Sequence, residues 1–166
     1  MTETKKKTHN EQIDTEENQF VTFLIGGESY GVEVLCVSEI LGMTEITPVP
    51  NTFNFMKGVI NLRGEVVPVV DMRLKFGMNE KEYDSFTVII IVEVKKRLVG
   101  MIVDAVSDVA NIPVGSIQNT PHFTTRIETD FIRGIGQLGE QLIIILDVDR
   151  ILTTEEFQQL EEDEIV

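Results

Sequence analysis

The residues able to do chemistry in this chain are few, and they are scattered. Histidine occurs only at His9 and His122. His9 lies in a polar stretch and His122 stands alone after Pro121, so neither sits at a spacing from Cys or carboxylates that would ligate a metal or build an acid–base pair. The single cysteine, Cys36, lies between Leu35 and Val37. That setting suits a small buried hydrophobe better than a nucleophile, because no histidine is close in sequence to take its proton. Asp71 and Asp147 recur at equivalent places and resemble a carboxylate pair, but each precedes a short apolar run and is explained more simply as a helix cap. Gly134-x-Gly136-x-x-Gly139 spells the dinucleotide fingerprint, which works only where a strand feeds a helix that receives the pyrophosphate. Here the following run, Gln141-Leu142-Ile143-Ile144-Ile145, reads as a strand, so these glycines belong to a β-hairpin. The expectation is no catalytic residue, no metal site and no cofactor.

What remains is recognition chemistry. A turn that gathers Asn61, Arg63 and Gly64 offers an amide and a forked cation on an exposed backbone that a partner can approach closely. Arg63 as a merely solvated turn residue is the competing reading. Val37-Ser38-Glu39 likewise sets an apolar residue beside an acid, which ordinary amphipathic packing would also produce.

The elements that must position these residues are written twice. Phe55-Met56-Lys57-Gly58-Val59-Ile60-Asn61-Leu62-Arg63 returns as Phe131-Ile132-Arg133-Gly134-Ile135-Gly136-Gln137-Leu138-Gly139, and Val67–Asp71 returns as Ile143–Asp147. Gly31–Ile40 likewise corresponds to Gly100–Val109. A period of about 70 residues is too long for a solenoid and suits two β-rich subdomains related by approximate symmetry, about 19–83 and 84–152. In the first half, Phe20–Ile25, a Gly26-Gly27 turn and Ser29–Val34 predict a hairpin. Val34, Val37, Ile40 and Leu41 fall at helical spacing before Gly42. Lys57–Leu62 and Val66–Val70 predict a second hairpin about Arg63-Gly64, and Asp71 caps a short helix closed by Gly77. The second half predicts strands at Thr87–Val94, Leu98–Val103, Phe131–Leu138 and Gln141–Leu146, with Asp147 as the matching cap. A long connection at 111–128 carries Pro113 and Pro121. Many short strands with Gly-bounded turns argue for small barrels.

Residues 1–18 are polar and aperiodic and predict a disordered N-terminal tail. Residues 153–166 hold six acids and no base and predict an acidic C-terminal helix docking through Phe157 and Leu160, with Glu164 on the same side. The net charge of −14 repels phosphate backbones and argues against nucleic acid or an anionic lipid surface. A hydrophobic content of 42% supplies a real interior. Lys5–Lys7 are not followed by an apolar stretch, so no signal peptide is read, and Val88–Val92 is far short of a membrane span. A single cysteine rules out an internal disulfide. These features predict a soluble, intracellular protein.

Phe55-Met56-Lys57-Gly58-Val59-Ile60-Asn61-Leu62-Arg63-Gly64-Glu65-Val66-Val67-Pro68-Val69-Val70-Asp71-Met72-Arg73 resembles the CheW-like family of bacterial chemotaxis coupling proteins. Tyr30–Val34, Val37–Ile40, Val99–Val109 and Phe131–Gly136 extend the resemblance from about Phe20 to the C-terminal helix. The resemblance implies a mainly β fold of two five-stranded, SH3-like β-barrels on a shared core. It implies a cytoplasmic adaptor without catalysis, recruited to receptor arrays, that bridges the signalling domain of methyl-accepting chemoreceptors to the histidine kinase CheA. No kinase or receiver segment accompanies the domain, so a free-standing coupling protein is expected. Carried over, the receptor-facing groove would involve Val37, Glu39, Gly58, Asn61 and Arg63, with Arg63 and Glu39 able to pair across it; the kinase-binding residues are not fixed. The second copy ends Gln137-Leu138-Gly139 instead, so receptor binding is expected of the first copy alone. The opposing class is a small β-barrel enzyme or ligand-binding protein with polar groups converging in a pocket.

Overall fold

A computed structural model describes residues 19–118, 131–156 and 158–159. The expected N-terminal tail, His122 with most of the long connection, and the docking of Phe157 and Leu160 lie outside the described residues. The strands are β1 (Gln19–Ile25), β2 (Glu28–Glu33), β3 (Val37–Gly42), β4 (Met56–Leu62), β5 (Glu65–Asp71), β6 (Val88–Val94), β7 (Arg97–Val103), β8 (Ala105–Asn111), β9 (Ile132–Leu138) and β10 (Gln141–Leu146). They form two five-stranded sheets, in the orders β8-β1-β2-β10-β9 and β3-β6-β7-β5-β4.

These two orders are the same order. Replacing β1, β2, β8, β9 and β10 by β6, β7, β3, β4 and β5 converts the first sheet into the second, which is the symmetry that the repeat encodes. Each sheet nonetheless draws on both halves of the chain, because the hairpin of one half adds to the three remaining strands of the other. Each hairpin joins the other half on both sides, by a parallel pairing (β2 with β10, β7 with β5) and an antiparallel one (β1 with β8, β6 with β3).

The core follows from the pleat. Alternate residues of a strand face opposite ways, and β6 is apolar on both faces: Ile89 and Ile91 turn into a cluster with Ile60, Val67, Val69 and Ile102. Ile90, Val92 and Val94 turn the other way, into a larger cluster with Phe23, Ile25, Tyr30, Val32, Met101 and Leu146 that joins the two sheets. Phe20, Ala110, Ile112, Ile143 and Ile145 form the matching interior of the first sheet. Each such side chain contributes roughly 1.5–3 kcal/mol by leaving water, so the shared cluster binds the sheets together.

Both expected caps are present. The Asp71 carboxylate accepts from the backbone N–H of Arg73 (2.9 Å) and Leu74 (3.3 Å) at the start of α1 (Met72–Lys75). Its other oxygen accepts the Tyr83 hydroxyl at 2.8 Å; burial first, and this carboxylate second, push the Tyr83 phenol above its ordinary pKa. Asp147 accepts from the Asp149 N–H (3.1 Å) to open a 3-10 turn, Val148–Arg150. The symmetry reaches single hydrogen bonds: Asp71 N–H donates to the Phe55 carbonyl and Asp147 N–H to that of Phe131, each at 2.8 Å.

One expected helix is a strand. Val34–Cys36 makes only a 3-10 turn, and Val37–Gly42 is β3, paired antiparallel with β6. The helical spacing misleads because it counts Ile40 as buried, whereas Ile40 is 41% exposed on the sheet edge. The half-buried positions are Val37, Glu39 and Leu41, an unbroken period of two, although the register with β6 shifts at a bulge between Val37 and Glu39. Its equivalent, β8, has no counterpart among the strands read from the sequence.

Candidate functional site

The β4–β5 hairpin turns on Arg63 (φ +51°) and Gly64 (φ +86°), two consecutive left-handed residues, as a two-residue turn matched to strand twist requires. Asn61 helps to hold it, since its side-chain oxygen accepts the Gly64 N–H at 2.8 Å. The turn fixes where the Arg63 side chain begins. From there its guanidinium donates to the Glu39 carboxylate.

That contact spans the sheet. β3, which carries Glu39, and β4, which leads into Arg63, lie at opposite ends of the order β3-β6-β7-β5-β4. The chain leaving β3 crosses the same gap: Thr47 and Val59 of β4 exchange backbone hydrogen bonds, each 2.9 Å. Gly58 is what permits this approach. A Cβ there would lie 2.1 Å from the Thr47 carbonyl oxygen, and its φ of +145° is one that L side chains rarely adopt. Gly134 plays the matching part under Gln118, whose carbonyl oxygen would lie 2.6 Å from an added Cβ, beside the Gln118–Ile135 bridge.

The five residues singled out from the sequence therefore divide. Glu39, Arg63 and Asn61 come together at one exposed rim. Val37 is half-buried and packs on the shared core, while Gly58 is buried under Thr47 and serves the backbone. Arg63 is largely exposed and Glu39 partly shielded, at 70% and 27% of their side-chain surfaces, so solvent screens the pair and leaves it open to a partner. The Arg63 hydrogen bond, ahead of an opposing desolvation, holds the Glu39 carboxyl below its ordinary pKa; the same contact raises that of Arg63.

Two flanking residues escaped the sequence reading. Ile40 follows Glu39 and Val66 lies directly across from Asn61, and both are more than two-fifths exposed. Val66 adds apolar surface on the Asn61 side of the turn, whereas Ile40 pairs with Ile90 and so faces the opposite side of the sheet from Glu39. Their type gave no signal, since Ile and Val in strands are ordinarily buried. At the equivalent place in the other sheet, Asp108 and Gly139 replace Glu39 and Arg63, and the Gln137 amide donates to the Gly139 carbonyl (3.2 Å) instead. The second rim has no cation at this point.

The half-open hollows elsewhere are of a different kind. A cavity of about 260 Å³ is lined by Glu33, Cys36, Arg133, Leu146, Asp147 and neighbouring turn residues. Burial, and then the carboxylates of Glu33, Asp149, Asp147 and Glu93, push the Cys36 thiol up, which suppresses the thiolate. Among the described residues no group of three or more His, Cys, Asp or Glu is placed to hold a metal ion. No helix among them is long and apolar enough to cross a membrane.

Known proteins are similar to this chain in sequence and in overall fold. The model of the CheW-like domain matches residues 19–156. The chain is 40% identical over 143 residues to the chemotaxis protein CheW of Klebsiella aerogenes, covering 86% of each, and 37% identical to that of Rhizobium meliloti, covering 83% of this chain and 89% of the relative. The crystal structure of the scaffolding protein TtCheW from Thermoanaerobacter tengcongensis superimposes with a TM-score of 0.78 at 34% identity, covering 84% of this chain and 95% of that one. A doubled five-stranded sheet, a bulged edge strand facing an Asn-Leu-Arg-Gly turn and a family match across nearly all the described residues lead to one assignment: the chain belongs to the CheW-like domain family.

Proposed function

We propose that this protein is a chemotaxis scaffold that couples the signalling domain of methyl-accepting chemoreceptors to the histidine kinase CheA, working in the cytoplasm at receptor arrays. The observation that carries the reading is the Glu39–Arg63 pair, held across two strand edges at an exposed rim, with Val66 exposed across from Asn61 beside the turn. Such a rim suits recognition of a protein surface. Apolar area supplies affinity, while charges of both signs in fixed positions select the partner and its register. A partner helix bearing an acid and a base can meet Arg63 and Glu39 separately, so the free protein's ion pair is a store of two oriented groups. Asn61 and Gly58 act behind them, one bracing the turn and the other allowing Thr47 to cross β4. Receptor recognition belongs to this rim rather than its counterpart, where Gly139 replaces the cation. The role asks for no chemistry at the protein itself. The protein raises kinase output by holding receptor and kinase at high effective concentration.

The test is a reconstituted phosphorylation assay with receptor signalling fragment, CheA and this chain. Kinase autophosphorylation that depends on both receptor and this protein supports the reading. An equal rate with and without this protein contradicts it.

A further inference from the structure

The first turn of the C-terminal helix is bolted to the half of the molecule that carries the rim. Thr153 and Glu156 cap one another reciprocally: the Thr153 hydroxyl accepts the Glu156 N–H (3.1 Å) and the Glu156 carboxylate accepts the Thr153 N–H (2.9 Å). The same carboxylate oxygen receives the Lys75 ammonium of α1 at 2.7 Å, with only 8% of the Lys75 side chain and 15% of that of Glu156 exposed. That ammonium also lies 4.5 Å above the Phe55 ring, which stacks on Phe53. The Gln159 amide donates to the Asn51 carbonyl at 3.4 Å. The segment gripped in this way, Asn51–Phe55, opens directly into β4, two residues before Gly58.

The chain supplies its own control. By the repeat, Met72–Lys75 corresponds to Val148–Ile151, so Lys75 falls where the other half places Ile151, a fully buried apolar residue. A nearly buried ion pair is commonly matched or bettered in stability by apolar packing, so a lysine here is better explained by specificity of placement than by strength. We infer that Lys75 and Glu156 are positioning residues for the partner-binding rim: through Phe55 they fix the approach of β4 and hence the place of Asn61 and Arg63. This rests on the reading of that rim as the receptor site.

Four full-length proteins test it: the native chain, Lys75→Met, the milder Glu156→Gln, and Lys75→Met with Glu156→Leu. Amide hydrogen exchange over residues 51–60 and in β6, and titration with a receptor signalling fragment, are the readouts. Lys75→Met should speed exchange over 51–60 by about tenfold or more while leaving β6 within about twofold, and weaken receptor binding about three- to tenfold. Glu156→Gln, which keeps an acceptor for Lys75 and Thr153, should recover most of both losses. The apolar pair should recover the melting temperature without recovering receptor affinity. Exchange over 51–60 unchanged within about twofold in both single variants would overturn the inference. So would acceleration spread equally into β6, or full recovery of affinity by the apolar pair, since each describes a pair that only stabilises. If the native chain binds no receptor fragment, the function proposed above fails, and the local exchange pattern still decides whether the latch holds β4.

Discussion

Gly58→Ala isolates the contact on which the rim's geometry rests. The added methyl would sit 2.1 Å from a backbone oxygen, Thr47 O, and 2.7 Å from its carbonyl carbon, so no side-chain rotation relieves it. An L residue at φ +145° adds strain of roughly 1–3 kcal/mol. Moving Thr47 away stretches two backbone hydrogen bonds of 2.9 Å, each contributing roughly 0.5–1.5 kcal/mol. The expected loss is about 3–5 kcal/mol, which lowers the melting temperature by roughly 6–20 °C in a domain of this size. Gly134→Ala is the matched comparison. Its Cβ would approach Gln118 O to 2.6 Å, without a positive φ, so its cost should be smaller, about 1–3 kcal/mol. Urea unfolding of the two variants beside the native chain gives both numbers. A Gly58→Ala loss under about 1 kcal/mol, or one no larger than that of Gly134→Ala, would mean that Thr47 does not depend on a bare Gly58 for its approach.

Two further outcomes follow from the same physics. Because Arg63 depresses the Glu39 pKa in the folded state, the pair adds stability that is present above the ordinary carboxylate value of 4.5 and is lost as pH falls through the lower folded value; a carbon-detected NMR titration should put the Glu39 midpoint below 4.5 and return it toward that value in Arg63→Gln. Deleting residues 1–18, which lack apolar anchors, should leave receptor and kinase affinities within about twofold by calorimetry, and a larger loss would assign the tail a partner of its own.

Much of this was legible in the sequence, because hairpin turns and caps are local. Gly26-Gly27 and Arg63-Gly64 announce left-handed turns, and Asp71 and Asp147 announce helix starts, through the residue types such backbones demand. The doubled pattern around Gly58 and Gly134 announces two equivalent sheets. What was not legible depends on partners distant in the chain. β3 reads as a helix because apolar Ile40 takes an exposed position and the half-buried place beside it is held by Glu39, which hides a period of two; β8 carries no such period, with Val106 and Val109 exposed. The pairings that take each sheet across both halves, β2 with β10 and β1 with β8 in one, β5 with β7 and β3 with β6 in the other, leave no mark on either strand. At the rim, Arg63 and Glu39 are conspicuous by type. The family resemblance alone implies their pairing; it depends on opposite sheet edges meeting beside the Thr47 crossing, which no local pattern encodes.

In the function proposed above, the Glu39–Arg63 rim contacts the receptor. Titration of Arg63→Glu, of Glu39→Arg, and of the swapped double variant against a receptor signalling fragment and separately against CheA tests it most directly, with melting curves to confirm folding. Arg63→Glu sets two acids face to face and removes the guanidinium fork, so receptor affinity should fall by about thirtyfold or more, as for a charge lost from a desolvated contact. Kinase affinity should stay within about threefold and the melting temperature within about 2 °C, as expected for an exposed turn residue. Partial recovery in the double variant would assign the effect to the pair, and none would assign it to direct contact of each residue with the receptor. A folded Arg63→Glu protein with undiminished receptor affinity would contradict the account.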